Sequence, residues 1–159
     1  MYRLRLATEE DYDFLYDLLK AVMKNYYIDT YGSWEEEIER NFFNESFNTL
    51  RYQIIACEDR NVGCVAVTRN DSGIFINEIQ ILPEYQNKGI AKMILDSVIS
   101  DSGKLEIPIC LEVLKVNKKA QRFYERMDFK IRGETETHYV MSRIPKVPVA
   151  DGGTDQAGK

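Results

Sequence analysis

Cysteine and histidine are scarce in this chain: Cys57, Cys64, Cys110 and the single His138 among 159 residues. The cysteines are odd in number and widely spaced, with no C-x-x-C pair. That excludes a disulfide framework and a thiolate zinc site and fits a reducing cytosol. One histidine excludes a His-rich metal site, so no metal is expected. No run of 18 apolar residues occurs, which excludes a membrane-spanning helix on length alone. Met1-Tyr-Arg-Leu-Arg-Leu-Ala lacks the longer apolar core of a signal peptide, and a cytoplasmic location is expected. An excess of basic residues is also missing. The net charge is −5, which disfavours nucleic acid as a partner because phosphate binding needs a basic face.

What is present is the balance of a globular domain, with 44% hydrophobic and 30% charged residues. The length suits one domain, expected over residues 1–144, followed by a disordered tail over 145–159 that is rich in proline and glycine. The charge is uneven. Residues 1–49 hold eleven acids and five bases, and the remainder fifteen acids and sixteen bases. The acidic half either forms a solvated helix face or draws a cationic ligand to one side of a cleft.

Tyr2, Leu4 and Leu6 alternate with Arg3 and Arg5, the pattern of a strand with one buried face. Thr8 and Asp11 then open a helix whose Phe14, Leu15, Leu18, Leu19 and Val22 face a sheet. Tyr26–Trp34 reads as an aromatic connection, and Ser33 with Glu36 as a capping box for a second helix reaching about Phe47. These two helices are the region expected to shape a substrate pocket. Strands follow at Tyr52–Glu58, Asn61–Arg69 and Ile74–Leu82 as a meander. Next come a helix with Ile90, Ile94, Leu95 and Val98 inward, stopping at Gly103, a strand at Ile107–Leu114 and a helix at Asn117–Arg126. Strands at Phe129–Arg132 and His138–Arg143 close the chain. The order β-α-α-β-β-β-α-β-α-β-β predicts a mixed α/β fold.

Two stretches carry chemistry. In Ile79-Gln-Ile-Leu-Pro-Glu-Tyr-Gln-Asn-Lys-Gly-Ile-Ala-Lys92 a strand ends at Pro83 and a helix begins just after Gly89. Unpaired N–H groups at a helix start attract anions, Gly89 and Ala91 allow close backbone approach, and Lys88 and Lys92 add charge. The loop is neither a Walker loop nor a dinucleotide fingerprint, since the required glycines are missing. In the second stretch, Glu112 to Phe129, Asn117 sits at an N-cap position. Ala120, Phe123 and Tyr124 share one face of the helix it opens.

Together the stretches resemble the GNAT acetyltransferase superfamily. Gln86-x-x-Gly89-x-Ala91 is similar to its phosphate loop, and Asn117-x-x-Ala120-x-x-Phe123-Tyr124-x-x-x-x-Phe129 to its cofactor-side helix. The resemblance spans about residues 2–144. Ala91 stands where glycine is commoner, and Met127-Asp128 replaces a residue-glycine pair. Asp128 is expected to take the left-handed conformation there. The resemblance implies a central sheet of six to seven strands, splayed in the middle, with about four helices and acetyl-CoA in the gap. The backbone of Ile79, Gln80 and Ile81 would pair with the pantetheine arm. Asn87, Lys88, Gly89, Ile90, Ala91 and Lys92 would hold the pyrophosphate, and Asn117 would meet the cofactor near its middle. The helix face of Ala120, Phe123 and Tyr124 would line it.

The implied reaction is attack of an amine on the thioester carbonyl. An alkylamine of pKa near 10.4 needs about 4–5 kcal/mol to reach its neutral form at pH 7, so a general base helps. Tyr124 matches the family's position for the acid that protonates the leaving thiolate. Glu78 interrupts the apolar strand Ile74–Leu82, where a carboxylate is costly unless it faces a cleft. It is the first candidate base, and Glu112 is the second, at a base position of some protein N-terminal acetyltransferases. His138 begins a late strand near substrate entry and otherwise reads as a strand-edge residue. The expected acceptor is a small or cationic amine, with a peptide or protein N-terminal amine as the alternative within the enzyme class, and a homodimer stays open. The alternative is a module that binds acetyl-CoA without catalysis.

Overall fold

The computed structural model describes residues 1–146. Residues 147–159 lie outside it, and with them nearly all of the expected tail. The elements are β1 (Tyr2–Leu6), α1 (Tyr12–Tyr31), α2 (Glu36–Thr49), β2 (Tyr52–Cys57), β3 (Arg60–Asn70), β4 (Gly73–Ile81), α3 (Ile90–Leu105), β5 (Ile109–Leu114), α4 (Lys118–Arg126), β6 (Lys130–Glu134) and β7 (His138–Arg143). Their order is the expected one.

The strands form one mixed sheet in the order β1-β2-β3-β4-β5-β7-β6. Every neighbouring pair is antiparallel except β4 and β5, which run parallel. That parallel pairing covers only Ile74↔Ile109, Phe75↔Cys110 and Ile76↔Leu111. Beyond it the two strands separate, so the sheet is split in the middle. On one face, α1 and α2 bury Leu15, Tyr16, Leu18 and Phe43 against Tyr52, Ile54, Cys64 and Ala66. On the other, Leu95 and Val98 of α3, with Phe129, pack on Ile74, Ile76, Leu111 and Met141. Ile90 and Ile94 cover Val62, Val65 and Ile81.

Local expectations are corrected in four places. The aromatic stretch continues α1 to Tyr31, and Gly32 with φ 91° ends it. The Ser33–Glu36 capping box does not form, because the Glu36 carboxylate turns back to α1. It accepts from the Tyr16 hydroxyl at 2.5 Å and from Lys20 Nζ, which also lowers its pKa to about 2. Helix α3 passes Gly103 and stops at Leu105, where Glu106 takes the left-handed turn. In β1 the face of Leu4 and Leu6 is uncovered, at 43% and 49% exposure. The opposite face of β1 is the better anchored one: Arg5 forks onto Asp11 with two 2.8 Å bonds. Asp11 also accepts the Thr8 N–H, as the opening of α1 requires.

Candidate functional site

Strand β4 explains the site. Its apolar residues step by two from Ile74 to Ile76, by three to Ile79, and by two again to Ile81. The register with β3 slips at the same point: Ala66 faces Glu78 and Val67 faces Ile76, leaving Asn77 as a bulge. The Asn77 amide donates to Thr68 Oγ1 at 2.7 Å and holds it there. A bulge turns the side chains that follow it. Ile79 and Ile81 therefore keep to the α3 face, while Glu78 and Gln80 are aimed toward α1 and α2.

Two cavities open around this strand. The first, about 280 Å³, lies in the split of the sheet and is lined by β4 from Phe75 to Gln80, β5 from Leu111 to Leu114, and Asn117, Ala120 and Tyr124 of α4. The second, about 630 Å³, lies between the sheet and helices α1 and α2. Tyr27, Glu78, Gln80 and His138 are common to the walls of both chambers.

Glu78 stands on that shared wall. Its carboxylate accepts from Gln80 Nε2 at 2.8 Å. Burial raises its pKa to about 7, and the Gln80 bond offsets only part of the shift. A charged carboxylate in an apolar wall loses hydration that one amide cannot replace. The Tyr124 hydroxyl makes no hydrogen bond among the described residues. Its ring packs edge-on against Phe123 and Phe129, at centroid distances of 5.2 and 5.4 Å. Burial, and then the nearby charge of Glu78, push its phenol well above the ordinary value. Glu112 lines the split but is exposed on β5 and does not reach the second cavity. His138 is half-buried, with Nδ1 2.8 Å from Thr137 Oγ1.

The phosphate-loop residues sit at the start of α3. Asn87 and Gly89 both have positive φ, 62° and 83°, and no side chain caps the helix. The first N–H groups of α3 therefore face outward without a side-chain acceptor. A Cβ on Gly89 would meet nothing within 4 Å, so the turn is open. Gln86 fixes the loop, donating to the Ile81 carbonyl at 2.9 Å and accepting from Lys119 Nζ at 2.9 Å. Lys92 pairs with Asp96 at 2.7 Å, and Lys88 lies over the Tyr85 ring. Asn117 caps α4 through a 3.1 Å bond from the Ala120 N–H. Asp128 takes the left-handed conformation, φ 68°. From Asn77 to Ile81, β4 has no strand partner on its β5 side, the open edge an extended arm could join.

Glu35 and Glu39 belong to the acidic segment read as drawing a cationic ligand, whereas Tyr27, Tyr52 and, on the α2 stripe, Phe42, Phe43 and Ser46 escaped the sequence reading. The stripe follows helical spacing, so its signal was available. The three-residue step in β4 also announced the bulge. No group of described residues is arranged to hold a metal ion, and none of the helices described is long and apolar enough to cross a membrane.

A family model described as the acetyltransferase (GNAT) domain matches residues 49–131, and the chain belongs to that family. Solved structures share the fold at low identity. The PaiA N-acetyltransferase of Thermoplasma acidophilum, in complex with coenzyme A, is 17% identical with a TM-score of 0.72, covering 91% of this chain and 99% of that one. A GNAT acetyltransferase from Elizabethkingia anophelis with acetyl-CoA bound is 13% identical, with a TM-score of 0.65 and coverage of 90% and 97%. The ribosomal-protein-S18-alanine N-acetyltransferase of Escherichia coli is 15% identical, with a TM-score of 0.67 and coverage of 98% and 100%. No curated protein sequence matches the chain.

Proposed function

We propose that this protein transfers the acetyl group of acetyl-CoA to the primary amine of a small, cationic acceptor by direct attack. The observation that carries this reading is Glu78 on the wall shared by two chambers, one beside the open edge of β4 and the other between the sheet and α1–α2. Membership of the GNAT family and relatives solved with coenzyme A or acetyl-CoA support the choice of donor. In this reading the thioester lies in the split of the sheet, with its pyrophosphate at Asn87 to Lys92 and its pantetheine arm along Ile79 to Ile81. Asn117, Ala120 and Phe123 flank it.

Glu78 takes a proton from the acceptor ammonium. The freed nitrogen lone pair attacks the thioester carbon, the C–S bond breaks, and the electron pair leaves on sulfur. Tyr124 protonates that thiolate and recovers its proton from solvent, while the new amide nitrogen releases its second proton to solvent and Glu78 later does the same with the first. Glu78 becomes neutral when it takes the amine proton. Its charge then no longer opposes ionisation of Tyr124, whose acidity rises at the step that uses it. Glu112 is exposed and outside the larger chamber, so Glu78 is preferred as base.

The test is release of free coenzyme A thiol with a panel of amines. Tyr124→Phe keeps the ring and removes the acid. Its kcat should fall roughly 10²- to 10⁴-fold, with acetyl-CoA affinity by calorimetry nearly unchanged. Full turnover in Tyr124→Phe would remove the tyrosine from the mechanism. Acetyl-CoA binding without turnover of any amine would favour a binding module.

A further inference from the structure

The larger chamber carries information about the acceptor that its volume alone does not. Helix α2 turns one whole stripe toward it, yet of its residues only Phe43 is buried. Ile38 is 46% and Phe42 63% exposed, and Tyr31 on α1 joins them at 56%. Large apolar side chains left wet around one opening are costly unless something covers them. Deeper in, Tyr27, Phe43 and Tyr52 continue the aromatic wall. The fixed charges of the lining have one sign. Glu35, Glu39 and Glu78 contribute carboxylates, and among the described residues no lysine or arginine lines the chamber, His138 being its one basic side chain. Burial, and then the neighbouring Glu35, raise the pKa of Glu39.

A free amino acid places a carboxylate next to its reacting nitrogen. With the nitrogen at Glu78, that carboxylate would find no lysine or arginine among the described lining residues, and the His138 imidazole as the one basic group. An aliphatic polyamine satisfies the charge but leaves the aromatic surface poorly filled, and it brings further ammonium groups to be desolvated. A volume of about 630 Å³ is in the range of small-molecule pockets. Resting on the acetyl-transfer reading, we infer that the acceptor is a carboxylate-free amine on an apolar, ring-bearing body, an arylalkylamine. The amine would point to Glu78 and the ring would lie among Tyr31, Ile38, Phe42 and Tyr52.

The experiment compares 2-phenylethylamine, phenylalanine, phenylalanine methyl ester and spermidine as acceptors at saturating acetyl-CoA. Like-charge juxtaposition in a desolvated site predicts kcat/KM for phenylethylamine roughly 100-fold or more above phenylalanine, with the methyl ester recovering most of the loss. Spermidine should fall about tenfold below phenylethylamine. Phe42→Ala, an exposed position where folding is not at risk, should raise KM for phenylethylamine about tenfold and leave KM for acetyl-CoA unchanged. If phenylalanine or spermidine matches phenylethylamine, the inference is overturned while acetyl transfer stands. If none of the four reacts although acetyl-CoA binds, the acetyl-transfer reading fails instead. The pocket is then judged by Trp34 fluorescence, since that sole tryptophan lies 5.5 Å from the Tyr27 ring. Saturable change with phenylethylamine, lost in Phe42→Ala, supports the inference. No change overturns it.

Discussion

Burial lifts the Glu78 carboxyl to about 7, and two consequences follow at the scale of this residue. As the proposed base it is half ionised near neutrality and stronger than an ordinary glutamate, so kcat/KM should rise with pH through an apparent value near 7. Glu78→Gln should lose roughly 10²-fold or more at pH 7. It should recover in part toward pH 10, where the amine deprotonates unaided. The second consequence is for stability. The folded pKa lies above the unfolded value near 4.3, so the folded state holds more protons between the two. The Glu78 contribution to stability is therefore complete below about pH 4.3 and declines as pH rises to about 7. The decline is on the order of 3–4 kcal/mol. Denaturant titrations should find Glu78→Gln equal to wild type near pH 4 and more stable above pH 7. Higher stability of wild type at pH 8 would mean that the carboxylate has a partner stronger than Gln80. The sequence identified Glu78 as an interruption of an apolar strand. It did not reveal Gln80 as the amide bonded to it, because that contact depends on a bulge.

Among the elements, β4 is the one on which the rest of the site depends, and Gly63 lets β3 approach it. A Cβ on Gly63 would fall inside contact distance of the Gln80 carbonyl, with the Ile81 side chain 3.0 Å away. Gly63→Ala should cost about 1–3 kcal/mol by overpacking. It should also weaken acetyl-CoA binding, because the displaced residues are those proposed to pair with the pantetheine arm. Stability and affinity that both stay at wild type would show that the strand has slack. At the start of α3, Gly89→Glu adds a carboxylate at an open turn with φ 83°. Calorimetric affinity for acetyl-CoA should collapse while circular dichroism stays native, and unchanged affinity would place the pyrophosphate elsewhere. Element boundaries set by local signals were legible: the Asn117 cap, the left-handed Asp128 and strand β7 all occur as read. Boundaries set by tertiary contacts were not. Glu36 abandons its cap for Lys20 and Tyr16, and α1 runs through the aromatic stretch, where the Tyr27 ring lies 5.5 Å from Trp34 beyond the helix end.

For the whole molecule, the order of elements and the helix-before-meander arrangement could be read from periodicity. The split of the sheet came from family resemblance alone, since it depends on a pairing that stops after three residues of β4 and β5. The net −6 of residues 1–49 was open to two readings, and the structure divides it between them. Glu36 is spent on an ion pair, whereas Glu35 and Glu39 face the larger chamber. The wall that the two chambers share at Tyr27, Glu78, Gln80 and His138 has a kinetic meaning. In the proposed reaction, donor and acceptor would reside in the protein together, each against its own wall. The buried Cys64 thiol, its pKa raised by burial, is a poor candidate for carrying the acetyl group between them. Initial-rate plots against either substrate should therefore intersect, where a relay through an acetylated protein would give parallel lines. A single compound that joins coenzyme A to the acceptor amine through a stable linker would occupy both walls at once. Tethering makes the second half's binding intramolecular, so such a hybrid should bind about 10²- to 10⁴-fold more tightly than either half.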